Sequence, residues 1–463
     1  MAVDAAERRR VLVAVALGSA LAPFMVSGLV VALPAIGREF VLSAADLAWV
    51  GAAFFLAAGA FLLPFGRLGD ILGVRRLFRT GIGIYALMAA LAALAPSAPV
   101  LIGARAATGV GAAMVFGTSL AFVSLVSPEE ERGRAIGTTV AVLMVGFSVG
   151  TIAGGVLTDL VSWRVLFVPV VLIASAVAWY AGRRITVECA LSRDRRFDRV
   201  GAVLWVAALL ALMVGLSTLP ACTGAFLAAA GGAGLALFVV HERRQADPLL
   251  DLALLRRPCF GRGNLAVLLF YAGSFAPSLL LSLYLQEIEG YDARAASLLL
   301  VVSPVVMALL SRPAGRAADR SDPRLVAGAG AVAAGVALGL LGVLTAGTGL
   351  LGVVAILVLI GAGPALFAAP MVRIVLAPIG REQYAVASSA EESMRLVGQT
   401  LALGSSAAVF SVLLGGVPAS VASPGALLDA IRLLAWLDLG LVASSLGVLL
   451  LIRPEQADQP IRS

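Results

Sequence analysis

Apolar residues recur along this chain in runs close to twenty residues long, separated by short segments rich in arginine, aspartate, glycine and proline. A helix needs about 20 apolar residues to cross the hydrocarbon layer of a bilayer. The pattern predicts fourteen transmembrane helices, at about 11–36, 46–65, 77–95, 99–122, 135–157, 163–182, 200–219, 223–241, 263–286, 294–311, 325–345, 349–371, 393–414 and 431–452. The first apolar run follows Arg8-Arg9-Arg10 and continues to about Ile36 without a small-residue cleavage site, so it reads as a retained span rather than a removable leader. Odd spans then run outward and even spans inward, which leaves both termini in the cytoplasm.

Composition points the same way. Hydrophobic residues make up 60% of the chain and charged residues 13%, with a mean hydropathy of +1.01; a soluble domain carries about twice that charge. The fold class is all-α, polytopic and membrane-embedded. A net charge of +7 could belong to a nucleic-acid binder, but every basic residue is an arginine. All of them except Arg38, Arg105, Arg164, Arg294 and Arg432 fall toward the predicted cytoplasmic side. That is the positive-inside bias of a membrane protein, and no basic face interleaved with stacking aromatics accompanies it. Cys189, Cys222 and Cys259 lack metal-ligand spacing and read as free thiols, and His241 reads as a solvated helix end. No metal or cofactor is expected.

The two longest cytoplasmic connectors, 183–199 and 242–262, bracket the seventh and eighth spans. The expected organisation is therefore an amino-terminal six-helix bundle (1–182), a two-helix insert with its flanking loops (183–262), and a carboxyl-terminal six-helix bundle with a short tail (263–463).

One polar stretch between the second and third spans stands out: Gly66-Arg67-Leu68-Gly69-Asp70-Ile71-Leu72-Gly73-Val74-Arg75-Arg76. A shorter echo, Gly315-Arg316-Ala317-Ala318-Asp319-Arg320, begins 249 positions later, between the tenth and eleventh spans. Glycines allow tight turns and close helix approach. Asp70 can cap a helix or pair with arginine, and such contacts persist in only one arrangement of two rocking halves. The first stretch resembles the loop signature of the major facilitator superfamily, Gly-x-x-x-Asp-x-x-Gly-x-Arg-Arg, with Gly66, Asp70, Gly73, Arg75 and Arg76 at its fixed positions. The resemblance implies a gating role for Gly66, Arg67, Asp70, Gly73, Arg75 and Arg76, echoed by Gly315, Arg316 and Asp319.

Further motifs extend the resemblance to the fourteen-span drug:proton antiporters of that superfamily. Arg105, Gly109 and Gly111 match its Arg-x-x-x-Gly-x-Gly pattern in the fourth span, which implies a part in proton coupling. An arginine inside a membrane helix is costly unless it faces protein, water or an anion; the alternative is that Arg105 snorkels to the outer interface. Gly146, Gly150, Gly154 and Gly155 resemble the fifth-span antiporter signature Gly-x-x-x-Gly-Pro-x-x-Gly-Gly, but Thr151 replaces its proline. Bending then falls to the Ser148 or Thr151 hydroxyl. Trp163-Arg164 resembles the outer turn before the sixth span, where Asp159 and Arg164 are expected to pair; Tyr284-Leu285-Gln286 with Gly290-Tyr291 resembles the segment after the ninth. In the first span Ala32-Leu33-Pro34 is kept, but Met25 stands where the subfamily has an acid, so cationic substrates are disfavoured.

Asp438, about two turns into the last predicted span, is the remaining intramembrane carboxylate and joins Arg105 as a coupling candidate. Phe24, Met25, Ser27, Trp205, Tyr271 and Ser274 are expected to line a substrate cavity. The expected function is export of a small amphipathic compound across the cell membrane by alternating access, in exchange for protons, by a monomer; the alternative is an uptake carrier or facilitator with the same fold.

Overall fold

The computed structural model describes residues 4–127, 129–186, 197–219, 221–245, 247–250, 252–377, 379, 384–415 and 423–452, except for the side chains at 5, 70, 120, 124, 129–134, 136, 137, 140 and 384–386. Cys189 thus lies outside the described residues.

Among the described residues, fourteen helices are long and apolar enough to cross a membrane: Ala6–Phe40, Ala44–Gly69, Val74–Ala93, Ala98–Val123, Ala141–Leu160, Trp163–Arg184, Arg199–Ser217, Cys222–Glu242, Pro258–Ile288, Ala293–Arg320, Pro323–Gly342, Leu350–Leu376, Ala387–Leu414 and Pro424–Leu450. Each corresponds to one span predicted from hydropathy. Helices are the natural solution here, because lipid cannot hydrogen-bond an exposed backbone group and a helix satisfies its own. Polar side chains punctuate the ends. Ser43 opens the second span with a capping box, accepting from the Asp46 amide while the Asp46 carboxylate accepts from the Ser43 amide. Asp292, Asp322 and Ser423 cap the tenth, eleventh and fourteenth spans in the same helix-starting role.

Packing sorts the spans. The first packs on the fifth, the second and third on the fourth, and the third on the sixth. Among the last six, the ninth packs on the twelfth, thirteenth and fourteenth, and the eleventh on the twelfth and fourteenth. The seventh and eighth pack on each other, and the seventh also touches the second and thirteenth. The first six spans meet the last six chiefly along two seams, second against thirteenth and fifth against tenth, with lesser contacts of the first on the ninth and tenth.

The glycines of the fifth span explain its closest contact. Gly146, Gly150 and Gly154 lie one turn apart and face the backbone of Ala20, Phe24 and Gly28 in the first span, where a Cβ would collide with the carbonyl oxygens. Close backbone approach of this kind supplies the dispersion contacts that hold helices together in lipid. The bending expected of the neighbouring hydroxyls has its hydrogen bonds in place: Thr151 Oγ1 donates to the Phe147 carbonyl (3.0 Å) and Ser148 Oγ to that of Met144 (3.1 Å).

Two spans are interrupted. The ninth runs as helix over Pro258–Ser274, breaks at Phe275–Ala276, resumes at Pro277 and finishes in a π turn over Tyr284–Ile288. Pro277 lacks the amide hydrogen that would otherwise reach back to the Gly273 carbonyl, which accounts for the break. The tenth is divided at Val301, between Ala293–Leu300 and Val302–Arg320.

The segment Gly66–Arg76, read from sequence as a loop, is almost entirely helical. The second-span helix continues to Leu72 and the third begins at Val74. Gly73 alone makes the turn, with φ at 107°, a region costly for residues with a Cβ. Gly73→Ala is expected to cost about 1–2 kcal/mol, read as a lowered midpoint in thermal unfolding of the purified protein.

Candidate functional site

A cavity lies at the centre, where the first six spans face the last six. The first span contributes Val26, Leu29, Val30 and Leu33, the second Gly51 and Phe55, the fifth Phe147, the ninth Phe275, Ser278 and Leu279, and the thirteenth Leu403. The fourth contributes Arg105. Phe275 belongs to the break in the ninth span, so the interruption places an aromatic ring at the cavity; it meets Phe55 edge to face at 4.8 Å between centroids. Ser278 is the sole hydroxyl and Arg105 the sole charge among the described lining residues.

Arg105 is 1% exposed, which removes the snorkelling alternative: its head group is inside the protein. Its guanidinium lies over the Phe54 ring at 4.8 Å, a cation–π contact worth about 0.5–2 kcal/mol. Nε and one terminal nitrogen have no hydrogen-bond partner.

Of the other side chains expected at the cavity, none is among its lining residues. Met25 is fully buried in the surrounding core, and Phe24 packs against that core. Ser27 Oγ donates to the Phe147 carbonyl at 2.7 Å, the same oxygen that Thr151 bonds. Trp205 stacks at a tilt on Phe238 of the eighth span, 5.2 Å between centroids. Tyr271 is edge-on to Phe270 at 5.4 Å and lies beneath the Arg395 guanidinium. Ser274 lines a second, smaller cavity with Pro277, Ala334, Ala337, Leu338 and Ile360, and its hydroxyl has no partner. The sequence reading missed Phe55, Phe147 and Phe275. Pro277 was the available signal for the last, since a proline inside an apolar run marks a break.

Asp438 is 1% exposed near the middle of the fourteenth span, with one carboxylate oxygen lacking a partner. Its own backbone carbonyl lies against Gly273 of the ninth span, just before the break. An unpaired carboxylate at that depth is expensive, which marks it as a functional candidate.

Polar contacts tie the two sides of the cavity together at opposite ends. At the end away from the arginine-rich connectors, Arg38 pairs with Glu287 at 2.9 Å, Gln286 Nε2 donates to the Val31 carbonyl at 3.1 Å, and Ser282 Oγ donates to that of Val30 at 3.0 Å. The tyrosine-leucine-glutamine segment thus grips the first span. Glu39 takes Arg164 at 2.5 Å and the Trp163 indole N–H at 2.6 Å. Arg164 therefore pairs with Glu39 rather than with Asp159.

At the arginine-rich end, Gly66 comes against Ser389, whose hydroxyl would have to turn aside for a Cβ, and the Ser393 hydroxyl reaches the Gly59 carbonyl at 3.4 Å. Arg67 is buried and lies 4.0 Å from Asp247, in the connector that follows the eighth span. Arg75 donates to the carbonyls of Ala181 (3.4 Å) and Gly182 (3.2 Å) at the end of the sixth span. Arg76 also has an interaction partner. The Asp70 side chain lies outside the described residues. The echo is built differently: Asp319 pairs with Arg373 of the twelfth span at 3.2 Å, and Gly315 has open space around it. Its ion pair stays among the last six spans, whereas Arg67 reaches across to the connector. Asp322, which follows the echo, is held below the usual carboxylate range by its hydrogen bond to Arg324.

Comparison with known proteins gives the arrangement its relatives. A family model described as Major Facilitator Superfamily matches residues 15–238. The multidrug resistance protein Stp of Mycobacterium tuberculosis (strain ATCC 25618 / H37Rv) is 30% identical, the alignment covering 85% of this chain and 74% of Stp. The cephamycin export protein CmcT of Amycolatopsis lactamdurans is 33% identical over 87% of this chain and 85% of that protein. Among solved structures, a bacterial homolog of the human lysosomal transporter Spinster, in an inward-facing and unoccupied conformation, superposes with a TM-score of 0.66 at 16% identity, covering 97% of both chains.

Proposed function

The chain belongs to the major facilitator superfamily, and we propose that it exports a small amphipathic compound from the cytoplasm by alternating access, in exchange for protons. The observation that carries this reading is the central cavity: apolar and aromatic, holding one charge, and bounded by both sets of six spans. A midplane site between repeats, beside a discontinuous helix, is the usual setting for transport. The relatives named for multidrug resistance and cephamycin export support the outward direction. Arginine asymmetry supports an orientation with both termini in the cytoplasm, so that Gly66–Arg76 and Gly315–Arg320 form the inner gates and Arg38–Glu287 belongs to the outer one.

Coupling is assigned to Asp438 together with Arg105. Asp438 packs against the ninth span immediately before its break, and Phe275 within that break lines the cavity. Adding or removing a proton at Asp438 changes what the buried carboxylate requires of its neighbours, and the interrupted helix is the element free to respond.

The test is drug sensitivity and energised efflux in a host stripped of its own exporters. Wild-type protein is expected to lower the intracellular level of an amphipathic substrate, and a protonophore to abolish the effect. Asp438→Asn is expected to remove uphill export while leaving downhill exchange. Efflux that persists after collapse of the proton gradient rules out proton antiport; accumulation of the substrate inside the cell rules out export.

A further inference from the structure

Among the described residues that line the cavity there is one cation and no acid. Arg105 stands alone among lining residues that are otherwise apolar, apart from the Ser278 hydroxyl and the Gly51 backbone. Its Nε and one terminal nitrogen are buried without hydrogen-bond partners, and among the described residues no carboxylate forms an ion pair with it. The near titratable neighbour is Tyr85 of the third span, itself fully buried, whose hydroxyl donates to the Leu21 carbonyl at 3.4 Å. Phe54 covers one face of the guanidinium.

A guanidinium in this state lacks what buried arginines ordinarily have. An unmet buried donor is destabilising, and a cation–π contact leaves the in-plane N–H groups unused. Those groups form a fork that matches a carboxylate or sulfonate. From this we infer that the substrate is an amphipathic anion: its acidic group pairs with Arg105, and its apolar body lies against Phe55, Phe147 and Phe275. The cavity then selects by charge sign. A cation meets like charge in a site of low dielectric, and a neutral isostere leaves the Arg105 donors unmet. The substrate anion supplies the missing partner, so the arginine is fully satisfied only when the cavity is loaded.

This inference rests on the transporter reading above, and its test separates the two. Purified protein in nanodiscs is titrated with a panel of matched aryl-alkyl probes, each in three forms: the carboxylate (such as 4-phenylbutyrate), its methyl ester, and the corresponding primary amine. Empty nanodiscs correct for partition into lipid. The expected result is tighter binding of the acids by tenfold or more over their esters, with the amines weakest. Arg105→Met is expected to fold, because it replaces an unpaired buried charge with an apolar chain of similar length, and to lose the preference for acids. Arg105→Lys is expected to retain the order acid, ester, amine. Equal binding of acids and esters, preference for amines across the panel, or an unchanged acid preference in Arg105→Met overturns the inference. So does the absence of binding by every acid of the panel. The same probes are then followed in energised cells. Export of amines or esters but not acids leaves the exporter reading standing and sinks the anion inference. Uptake of acids reverses that outcome.

Discussion

Gly150→Leu is expected to abolish the folded protein. The missing Cβ of Gly150 faces the Phe24 backbone of the first span, with the Phe24 Cα 2.7 Å and the Ser27 Oγ 2.5 Å from where a Cβ would stand. Backbone cannot move aside as a flexible side chain can. Neighbouring Gly146 and Gly154 fix the same close approach one turn above and below, so the helix cannot tilt away locally without losing those contacts as well. Ser27 also gives up its 2.7 Å bond to the Phe147 carbonyl if the helices separate. Overpacking in a tight core costs about 1–3 kcal/mol and occasionally more; here the collision is with backbone, which puts it at the top of that range or above. Size-exclusion chromatography of a fluorescent fusion should show the monodisperse peak lost, with Gly150→Ala intermediate. Gly83→Leu, at a third-span glycine with open space around it, should match wild type. A normal peak for Gly150→Leu would contradict the packing described.

Gly155→Val should behave in the opposite way, folding well and transporting poorly. Gly155 is next to the stripe, but its absent side chain points to the tenth span, where the Ala293 carbonyl oxygen and the Ser297 side chain occupy the space. This is a seam between the first six spans and the last six. A bulky residue there does not disturb the packing of the first span on the fifth; it holds the seam apart. Transport by alternating access needs that seam to close in part of each cycle, so a tenfold or greater loss of transport rate is expected with a normal chromatographic peak. Labelling of Ser297→Cys by a membrane-impermeant maleimide should rise in the Gly155→Val background. Unchanged transport in Gly155→Val would mean that this seam does not close during the cycle.

These two glycines show how far the sequence carries. The fourteen spans were readable because a run of about 20 apolar residues has few other uses, and the glycine stripe was readable because a spacing of four places residues on one helical face. The stretch Gly66–Arg76 reads from sequence as a loop, since three glycines and three arginines in eleven residues resemble a connector, yet a single positive-φ position at Gly73 suffices to turn the chain. The cavity was the least legible part. A helix that is apolar all round gives no signal of which side faces a cavity and which faces a neighbour. Met25 and Ser27 lie on the right span but outside the residues that line the cavity, which begin at Val26 and recur at Leu29, Val30 and Leu33, while Phe55 and Phe147 passed as ordinary core. Arg105 and Asp438 were legible because charge at membrane depth is rare and costly, whatever the direction of the helix face. The partners of other charged side chains were not legible, since pairing depends on packing between distant segments; Arg164 with Glu39 is the example.

Proton-coupled export is tested by flux in proteoliposomes carrying the purified protein, with a pH difference imposed across the membrane and an amphipathic substrate at equal concentration on both sides. Net substrate movement is expected against its developing gradient, toward the more acidic compartment, in step with protons moving the other way. Movement should cease in Asp438→Asn. Substrate flux that only equalises concentrations, indifferent to the imposed pH difference, would contradict proton-coupled export.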